Sequence, residues 1–503
     1  MSKQAIKDEQ SLQIWTGLTD TGDLEAYLTA YGFKDSAASL LAIQQFKTAP
    51  TIRRLTAKGA QTIDRLMPQL ISALQKVANP DLTLKRLLGL FEAVAGRNVY
   101  LALLAENSDA LAQLLKLAAA STWVCDYLAM YPILFDELLD TRALYEPLKK
   151  VDLDSQLANV IKTIDKQDLE QIMIALRQFK HIHVLKVAAA DIMDVIPLMV
   201  VSDYLTYIAE SIVTQVIESA WLMLVDKHGA PPDSDLAHKG FAVLGFGKLG
   251  GIELAYGSDL DLVFIYDCSD GNALTLGEKP ISCMQFYGRL GLKVRHILDT
   301  KLLSGVLYDV DMRLRPNGNS GLLVTQIHTY AQYLHDEAWT WEHQALVRGR
   351  FIAGDINLKT AYAVIRARIL SLPRDLENLK TEVRDMREKM RTALATKAQN
   401  QFDLKHSQGG IVDIEFMVQF GVLANAATYP VLTLYTDNVR LLTTLEAVGF
   451  FTKDQADLLT KAYCIYRDTG HQQVLQGESV LVNSQTVAGL SQQVIQVWQR
   501  VMG

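Results

Sequence analysis

Two aspartates separated by one residue, Asp259 and Asp261, stand out in GFGKLGGIELAYGSDLDLVFIYD, residues 245–267. They follow a glycine-rich stretch and precede an apolar run. Because side chains alternate along a strand, both carboxylates lie on one face, and Leu260 points into the core. Two ionised carboxylates this close repel each other, and cations between them remove the repulsion. Since Mg²⁺ is commonly held by carboxylates and substrate phosphates, the spacing predicts a magnesium site.

A third carboxylate and a set of candidate phosphate contacts accompany this pair. Asp311 lies in LYDVDMRLRP, on a later predicted strand, from which its carboxylate would complete a site for two metal ions. Glycines let backbone N–H groups approach a polyphosphate closely, and a lysine and a serine add a cation and a hydroxyl group. These candidates are Gly245, Gly247, Lys248, Gly250, Gly251 and Ser258. The combination predicts a nucleoside triphosphate, two metal ions and in-line attack on phosphorus.

Each of these features has a common alternative explanation. A D-x-D pair alone usually marks a solvated strand edge, and a glycine-rich stretch alone is a weaker signal still. The stretch lacks the G-x-x-x-x-G-K-[ST] spacing of a Walker A loop. It also differs from a dinucleotide-binding fingerprint, because the D-x-D pair interrupts that unit too early. The third aspartate on a later strand favours a functional site over a solvated edge.

The segments around these residues indicate a mixed α/β core, which we place at residues 206–350. FAVLGF (241–246) and LDLVFIY (260–266) are apolar and rich in branched or aromatic residues, which predicts two strands. Alternating apolar and charged residues predict another strand over 302–316. Residues 284–299 are predicted to form the helix between these strands.

Residues 1–205 are predicted to form a helical domain. Similar apolar periodicities recur in 100–118 and 155–180, and Asp81 is placed to cap a helix. The buried face of that helix is predicted from apolar residues at i, i+3, i+4 and i+7, which are Leu84, Leu87, Leu88 and Phe91. The simplest interpretation of this domain is a scaffold.

Residues 351–503 are predicted to form a helical bundle. Thr452 and Gln455 have the spacing of a capping box at the start of one helix, and Gly449 closes the helix before it. The predicted fold class is therefore mostly α, with a central α/β core between two helical domains.

A second acidic pair lies in GGIVDIEFMVQF, residues 409–420, where Asp413 and Glu415 imitate the D-x-D motif. A strand at this place would allow a second metal site. The helical context instead favours a helix start, with acids in the first turn opposing the macrodipole and the turn lining a nucleotide pocket.

Composition argues against several classes of protein. The chain has 503 residues and a net charge of −7, which argues against coating of nucleic acid. Its four cysteines lie far apart without a C-x-x-C motif, so neither structural disulfides nor a zinc ribbon is expected. The polar start MSKQAIKDEQ predicts no signal peptide, and no uninterrupted apolar run approaches the ~20 residues of a membrane helix. We therefore expect a soluble, cytoplasmic protein without membrane or nucleic-acid partners.

The motif G-x-G-K-L-G-G-x-E-L-x-x-x-S-D-x-D-L resembles the signature of the glutamine synthetase adenylyltransferases, within the DNA polymerase β-like nucleotidyltransferase superfamily. Further segments resemble blocks of the same family, over about residues 120–500: SDYLTYIAESIV (202–213), LYDVDMRLRPNGNSG (307–321), WTWEHQALVRGR (339–350) and GGIVDIEFMVQF (409–420). Proteins of this family carry two related catalytic halves, whereas this sequence contains one copy of the signature. Its YGSDLDL form is similar to the C-terminal, adenylylating half.

The resemblance implies a polymerase β-like core that transfers AMP from ATP to a tyrosine hydroxyl of glutamine synthetase, releasing pyrophosphate. It implies that Asp259 and Asp261 bind two Mg²⁺ ions and that Asp311 completes the site and assists deprotonation of the tyrosine. Arg313 and Arg315 are implied as phosphate or substrate contacts, and the alternative is a salt bridge to Asp309 or another strand neighbour. Glutamine and a PII signal protein are the implied regulators, without assigned sites.

Three other functions stay open on the sequence alone. The chain could be the deadenylylating half of such an enzyme, or a related nucleotidyltransferase with another protein acceptor. It could also be a helical regulatory scaffold around an inactive core, although the intact Asp259, Asp261 and Asp311 argue against that interpretation.

Overall fold

Two compact units are present in the computed structural model, which describes residues 3–17, 19–302, 304–394 and 400–503. The first unit comprises Met1–Pro147, His181–Pro197 and Gln473–Glu478. The second comprises Leu148–Lys180, Leu198–Gln472 and Ser479–Gly503. The domain boundaries predicted at residues 205 and 350 do not coincide with these bounds, so the division into three domains stays a prediction.

The first unit is built mainly from helices, as predicted. In chain order they begin with α1 (Lys3–Thr16), α2 (Thr21–Ala30), α3 (Ser36–Thr48), α4 (Pro50–Arg53), α5 (Ala57–Leu74), α6 (Pro80–Val94), α7 (Asn98–Glu106), α8 (Ser108–Ala120) and α9 (Thr122–Met130). Their apolar faces share one core, which includes the predicted buried face of α6: Leu84, Leu87, Leu88 and Phe91.

The following helices are α10 (Lys150–Lys162), α11 (Leu169–Ile192), α12 (Leu198–His228), α13 (Gly247–Gly250), α14 (Cys283–Asp299), α15 (Ile327–Asp336), α16 (Thr340–Val347), α17 (Ile356–Leu370), α18 (Leu376–Leu394), α19 (Ile411–Asn425), α20 (Asn438–Ala447), α21 (Lys453–Leu475) and α22 (Ser484–Met502). The strands are β1 (Phe241–Gly245), β2 (Leu260–Tyr266), β3 (Val310–Asp311), β4 (Val324–Gln326), β5 (Arg350–Gly354), β6 (Gln401–Asp403) and β7 (Leu481–Asn483). The architecture is therefore mostly α with a small mixed sheet, which confirms the predicted fold class.

Some details of the N-terminal helices differ from the prediction. Asn79, not Asp81, caps α6, because its side chain accepts a hydrogen bond from the Leu82 amide at 3.2 Å. Pro80 takes the first helical position, so Asp81 lies inside the helix, where its carboxylate accepts a hydrogen bond from the Lys34 amide at 2.8 Å.

The segments 100–118 and 155–180 also differ, because a break divides each of them. The side chain of Asn107 donates to the Leu103 carbonyl oxygen at 2.9 Å and ends α7, so α8 starts anew. A turn containing Asp165 separates α10 from α11 in the second segment. Apolar periodicity alone does not reveal breaks of this kind.

The mixed sheet of the second unit has the strand order β3-β2-β1-β5, and β4 also pairs with β2. Strand β1 is antiparallel to β2 and β5, whereas β3 and β4 are parallel to β2. Strands β1 and β2 and helix α14 confirm the predictions over 241–246, 260–266 and 284–299. Buried residues of both strands share a core with helices α15 to α22: Ala242, Leu244, Val263 and Ile265. The sheet thus packs directly on the C-terminal helices.

The strand predicted over 302–316 is wrong for most of its length. Among the residues of this segment that the structure describes, only Val310 and Asp311 form a strand, in register with Leu260 and Asp261 of β2. The Asp311 carboxylate accepts a hydrogen bond from the Arg313 amide at 2.9 Å. Because this bond between residues two apart favours a turn, it ends the strand directly after Asp311.

Helix α12 bears on the expectation that no apolar run in the sequence is long enough to cross a membrane. By length and composition it is the one described helix that could cross a membrane. However, 72% of its most apolar window is buried inside the protein, as is typical of a core helix in a soluble protein. It packs beside α10 and α14 in the second unit.

The C-terminal helices carry the predicted end signals. The Gln455 amide donates to the Thr452 hydroxyl at 3.3 Å, and the Thr452 amide donates to the Gln455 side chain at 2.9 Å, so the capping box at α21 is confirmed. Gly449 ends α20 with a φ of 81°.

The acidic pair in GGIVDIEFMVQF lies on a helix, as the helical context favoured. Asp413 is in the first turn of α19 and fully buried. Its carboxylate accepts hydrogen bonds from the Arg387 guanidinium at 2.6 Å and from the Gly409 amide at 2.6 Å. Asp413 is therefore a structural ion-pair partner in this helical region.

Replacing Asp413 with alanine should destabilise the second unit strongly. The change leaves the buried Arg387 guanidinium without its carboxylate partner, which typically costs about 3–5 kcal/mol of unfolding free energy. Urea unfolding followed by circular dichroism measures the effect. Glu388→Ala is the control, because this glutamate pairs with Arg391 at the surface and should contribute less than about 1 kcal/mol. Equal, small losses in both variants would contradict the assigned role.

Candidate active site

The glycine-rich stretch forms a tight connection between β1 and β2. The two strands are antiparallel, with Gly245 opposite Leu262, and the one-turn helix α13 follows β1. Gly247 has a φ of +52°, a conformation that residues with a Cβ rarely adopt. A Cβ on Gly247 would also overlap the Asp261 carboxylate. The absence of a side chain thus lets the turn lie directly against this carboxylate.

The three predicted carboxylates lie at one edge of the sheet. Asp261 on β2 is in register with Asp311 on the parallel strand β3, and Asp259 immediately precedes β2. The Leu260 amide donates to the Asp309 carbonyl oxygen at 2.9 Å, which fixes the two strands side by side. The structure therefore places Asp261 beside Asp311 on neighbouring strands, with Asp259 directly before β2.

Their electrostatic environments differ. Burial raises the pKa of Asp261 to about 6, and repulsion from Asp259 and Asp311 contributes to the rise. Arg313 lowers the pKa of Asp311 through hydrogen bonds from its Nε, at 2.8 and 3.0 Å to the two carboxylate oxygens. Arg313 thus neutralises one of three acids that otherwise repel each other.

The donor set suits a hard cation in its chemistry. It offers carboxylate oxygens alone, on neighbouring strands, and their mutual repulsion would be relieved by a dication. Within the described part of the chain, however, no three His, Cys, Asp or Glu side chains are gathered closely enough to hold a metal ion. The Asp311 carboxylate is bonded to the Arg313 guanidinium instead.

The other glycines of the stretch face protein atoms. A Cβ on Gly250 would overlap the Arg348 carbonyl oxygen, and one on Gly251 would approach the Arg348 guanidinium. A Cβ on Gly245 would come within 2.7 Å of the Ile352 side chain. These three glycines therefore allow the turn to pack against β5 and the residues before it.

The remaining candidates occupy varied surroundings. Lys248 on α13 is exposed as a residue. The surrounding protein nevertheless removes water from its ammonium group, and this burial lowers its pKa. The Ser258 hydroxyl accepts a hydrogen bond from the Ala255 amide at 3.0 Å. Arg315 is largely buried and donates to the carbonyl oxygens of Met312 at 2.9 Å and Asn319 at 3.2 Å. Arg315 thus fixes the loop after β3.

The alternative role predicted for Arg313 and Arg315, a salt bridge to a strand neighbour, is present for one of them. Arg313 pairs with Asp311 and not with Asp309, as described above. The bonds of Arg315 that the structure describes go to main-chain oxygens.

A buried network of ion pairs and hydrogen bonds lies beside the glycine turn, and the sequence did not predict it. The Arg348 guanidinium pairs with Glu253 at the end of the turn and with Glu415 on α19. The Tyr463 hydroxyl donates to Glu253 at 2.6 Å, and the Asn438 amide donates to it at 3.1 Å. We call these five residues the Glu253 network. The charged residues in the segments GGIEL, ALVRGR and VDIEF can be seen in the sequence. Their spacing, however, does not reveal that these residues contact each other in the folded chain.

Further bonds fasten the same turn to the C-terminal helices. The Thr436 hydroxyl donates to the Gly250 carbonyl oxygen at 2.8 Å, and Arg350 Nε donates to the same oxygen at 3.1 Å. Arg467 on α21 donates to the Glu253 carbonyl oxygen at 3.1 Å. The backbone of the turn is thus held from several directions.

A strand–glycine turn–strand unit with acids at one sheet edge, set among helices, defines the architecture of a nucleotidyltransferase core. The sequence model of the glutamate-ammonia ligase adenylyltransferase family matches residues 111–390. The chain belongs to this family. A second family model, described as GlnD PII-uridylyltransferase, matches residues 377–479.

Several curated relatives carry the name bifunctional glutamine synthetase adenylyltransferase/adenylyl-removing enzyme. The one from Methylococcus capsulatus is 45% identical over 491 residues, which cover 96% of this chain and 52% of the relative. Those from Pseudomonas syringae pv. tomato and Thioalkalivibrio sulfidiphilus are 44% and 43% identical over 97% of this chain and 51% of each relative. The chain spans about half the length of the curated relatives it matches.

Replacing Gly250 with alanine should displace the turn, because the added methyl group would overlap the Arg348 carbonyl oxygen. Overpacking of this kind typically costs roughly 1–3 kcal/mol of unfolding free energy. Urea unfolding measures it, with Gly288→Ala as the control, since a Cβ at that position in α14 meets no atom within 4 Å. The control should be neutral or slightly stabilising. A neutral Gly250→Ala variant would show that the turn tolerates a side chain.

Proposed function

We propose that this chain transfers AMP from ATP to a tyrosine hydroxyl of glutamine synthetase, releasing pyrophosphate and lowering nitrogen assimilation. The observation that carries the proposal is the register of Asp261 with Asp311 on neighbouring strands, with Asp259 directly before β2 and Gly247 against the Asp261 carboxylate. Family membership and the names of the relatives support the acceptor. The cytoplasm is the proposed location.

Asp259 and Asp261 are the proposed ligands of two divalent ions, with Mg²⁺ as the proposed metal and Asp311 completing the site. When bound, such ions supply positive charge that offsets the charge developing on the phosphates. Gly247, Lys248 and Ser258 are the proposed contacts of the phosphate chain. Gly245, Gly250 and Gly251 support the turn from behind.

Asp311 is the proposed base. The tyrosine oxygen forms a bond to the α-phosphorus, the bond from that phosphorus to the bridging oxygen breaks, and pyrophosphate leaves. The tyrosine proton passes to Asp311, which the hydrogen bonds from Arg313 keep ionised. Because a tyrosine hydroxyl has a pKa near 10, its deprotonation requires a nearby base or cation.

The direction of the reaction is proposed from the YGSDLDL form of the motif, which is similar to that of the adenylylating half. Removal of AMP in this family is phosphorolysis, in which phosphate replaces pyrophosphate, and a second core serves it. The 503 residues contain one copy of the signature. Glutamine and a PII signal protein are the proposed regulators, and the match of residues 377–479 supports a link to PII signalling.

Asp261→Asn should lower the rate of AMP transfer roughly a hundredfold to a thousandfold, because several kcal/mol of charge stabilisation would be lost with the metal ligand. Transfer of label from [α-³²P]ATP to glutamine synthetase measures the rate. Thermal stability should stay equal or rise slightly, since the variant removes carboxylate repulsion. Asp267→Asn is the control, because Asp267 is an exposed aspartate directly after the other end of β2. A rate near that of the parent chain in Asp261→Asn would end the metal-ligand assignment.

A pair of assays tests the direction and the acceptor. Unmodified glutamine synthetase with labelled ATP and Mg²⁺ should become labelled quickly, whereas AMP-modified glutamine synthetase with phosphate should release ADP slowly. Rapid ADP release without labelling would identify the deadenylylating half. Labelling of other proteins alone would indicate another acceptor, and no reaction in either assay would favour the inactive scaffold.

A further inference from the structure

A cavity of about 310 Å³ opens beside β3 in the second unit. Its lining combines acidic and basic side chains, among them Asp259, Arg295, Asp309, Asp311, Arg313 and Arg315. No residue of the glycine stretch 245–251 lines it. The cavity and the glycine turn are therefore two separate surfaces. Both lie next to the edge of the sheet that carries Asp259, Asp261 and Asp311.

The two surfaces lie on opposite sides of strand β2 in the order of the sheet. Across the sheet the order is β3, β2 and β1, and the Asp261 carboxylate on β2 faces Gly247, which follows β1. Asp311 on β3 lines the cavity on the other side. In-line displacement places the attacking and leaving oxygens on opposite sides of the phosphorus. If pyrophosphate leaves on the side of the turn, the acceptor therefore approaches from the cavity.

The charges of the cavity favour an acidic ligand when the aspartates that line the cavity are already occupied by cations. Asp259 and Asp311 belong to the proposed metal site. Asp309 lies within electrostatic reach of Lys180, because it opposes the effect of burial that lowers the pKa of Lys180 to about 8. When metal ions occupy Asp259 and Asp311, the three arginines of the lining outnumber the one aspartate that remains, and this excess of positive charge suits a carboxylate.

Arg295 is the arginine best placed to bind such a ligand. Arg315 is fixed by main-chain carbonyl oxygens, whereas the side chain of Arg295 is 47% exposed. Its ion pair goes to Asp299, one turn further along the same helix, at 3.0 Å. A surface pair of this kind contributes little, so exchange for an incoming carboxylate costs little. Arg295 and Arg315 line the same cavity.

We propose that this cavity receives an acidic side chain of the acceptor protein, next to the tyrosine that is modified, and that Arg295 determines specificity by binding it. The proposal rests on the proposed function, because it names how the same reaction selects its acceptor. A guanidinium is suited to this task, since it binds a carboxylate with two parallel hydrogen bonds. The nucleotide is the less favoured occupant, because the glycine turn lies on the other side of strand β2.

Arg295→Glu tests the proposal in the full chain. The KM for glutamine synthetase should rise roughly tenfold to a hundredfold, which corresponds to the loss of one charged hydrogen-bonded contact. The KM for ATP and the rate at saturating glutamine synthetase should not change. Lys293→Glu makes the same change of charge on α14 outside the cavity and should leave all three values unchanged. Thermal midpoints of both variants check folding.

A charge reversal on the acceptor sharpens the test. Acidic residues near the acceptor tyrosine of glutamine synthetase are changed to lysine one at a time, and binding to each chain is measured by surface plasmon resonance. One such variant should bind Arg295→Glu more tightly than it binds the parent chain. Absence of any such pair would overturn the proposal.

The remaining outcomes separate the two levels of inference. If the parent chain labels glutamine synthetase and Arg295→Glu leaves its KM unchanged, the proposal fails and the function stands. If Arg295→Glu raises the KM for ATP instead, the cavity holds the nucleotide, which also overturns the proposal. If the parent chain labels no acceptor, the proposed function itself fails, and the role of Arg295 fails with it.

Discussion

The pairing of Arg348 with Glu253 and Glu415 is the interaction on which the candidate active site depends. A buried guanidinium depends on carboxylate partners that offset its loss of hydration, so Arg348 links Glu253 to Glu415. Glu253 ends the glycine turn, whereas Glu415 belongs to a helix more than a hundred residues later. The backbone of the turn and the carboxylate edge beside it therefore take their position from the C-terminal helices.

Hydrophobic packing also connects the strands of the mixed sheet to the C-terminal helices. One face of β1 and β2 shares its core with α15 to α22, so the strands that carry the carboxylates have no separate core on that side. The match of the adenylyltransferase family to residues 111–390 likewise continues past residue 350, where the sequence alone suggested a boundary. The strands of the mixed sheet and the C-terminal helices belong to the same compact unit.

Much of the fold followed from local patterns in the sequence. Strands β1 and β2, helix α14 and the capping box at α21 were predictable, because period and turn chemistry act over a few residues. The adjacency of Asp261 and Asp311 is a contact between distant parts of the sequence, and it was expected from their residue types on two predicted strands. The predicted strand over 302–316 failed, since the Asp311 side chain competes for the backbone two residues on. The Glu253 network was not predictable, because its members are far apart in sequence and meet only in the folded chain. The same reason explains why glycines expected at a phosphate pack against protein.

The span of the Glu253 network has a consequence for synthesis of the chain. Tyr463 binds Glu253 from 210 residues further along, and Thr436 binds Gly250 from 186 residues further along. During translation the aspartate motif leaves the ribosome long before these partners exist. Contacts between such distant residues form late in folding, after the intervening chain has been closed into a loop. A nascent or truncated chain that ends before α21 would thus display the complete signature around a turn that lacks its bonds to Tyr463 and Arg467.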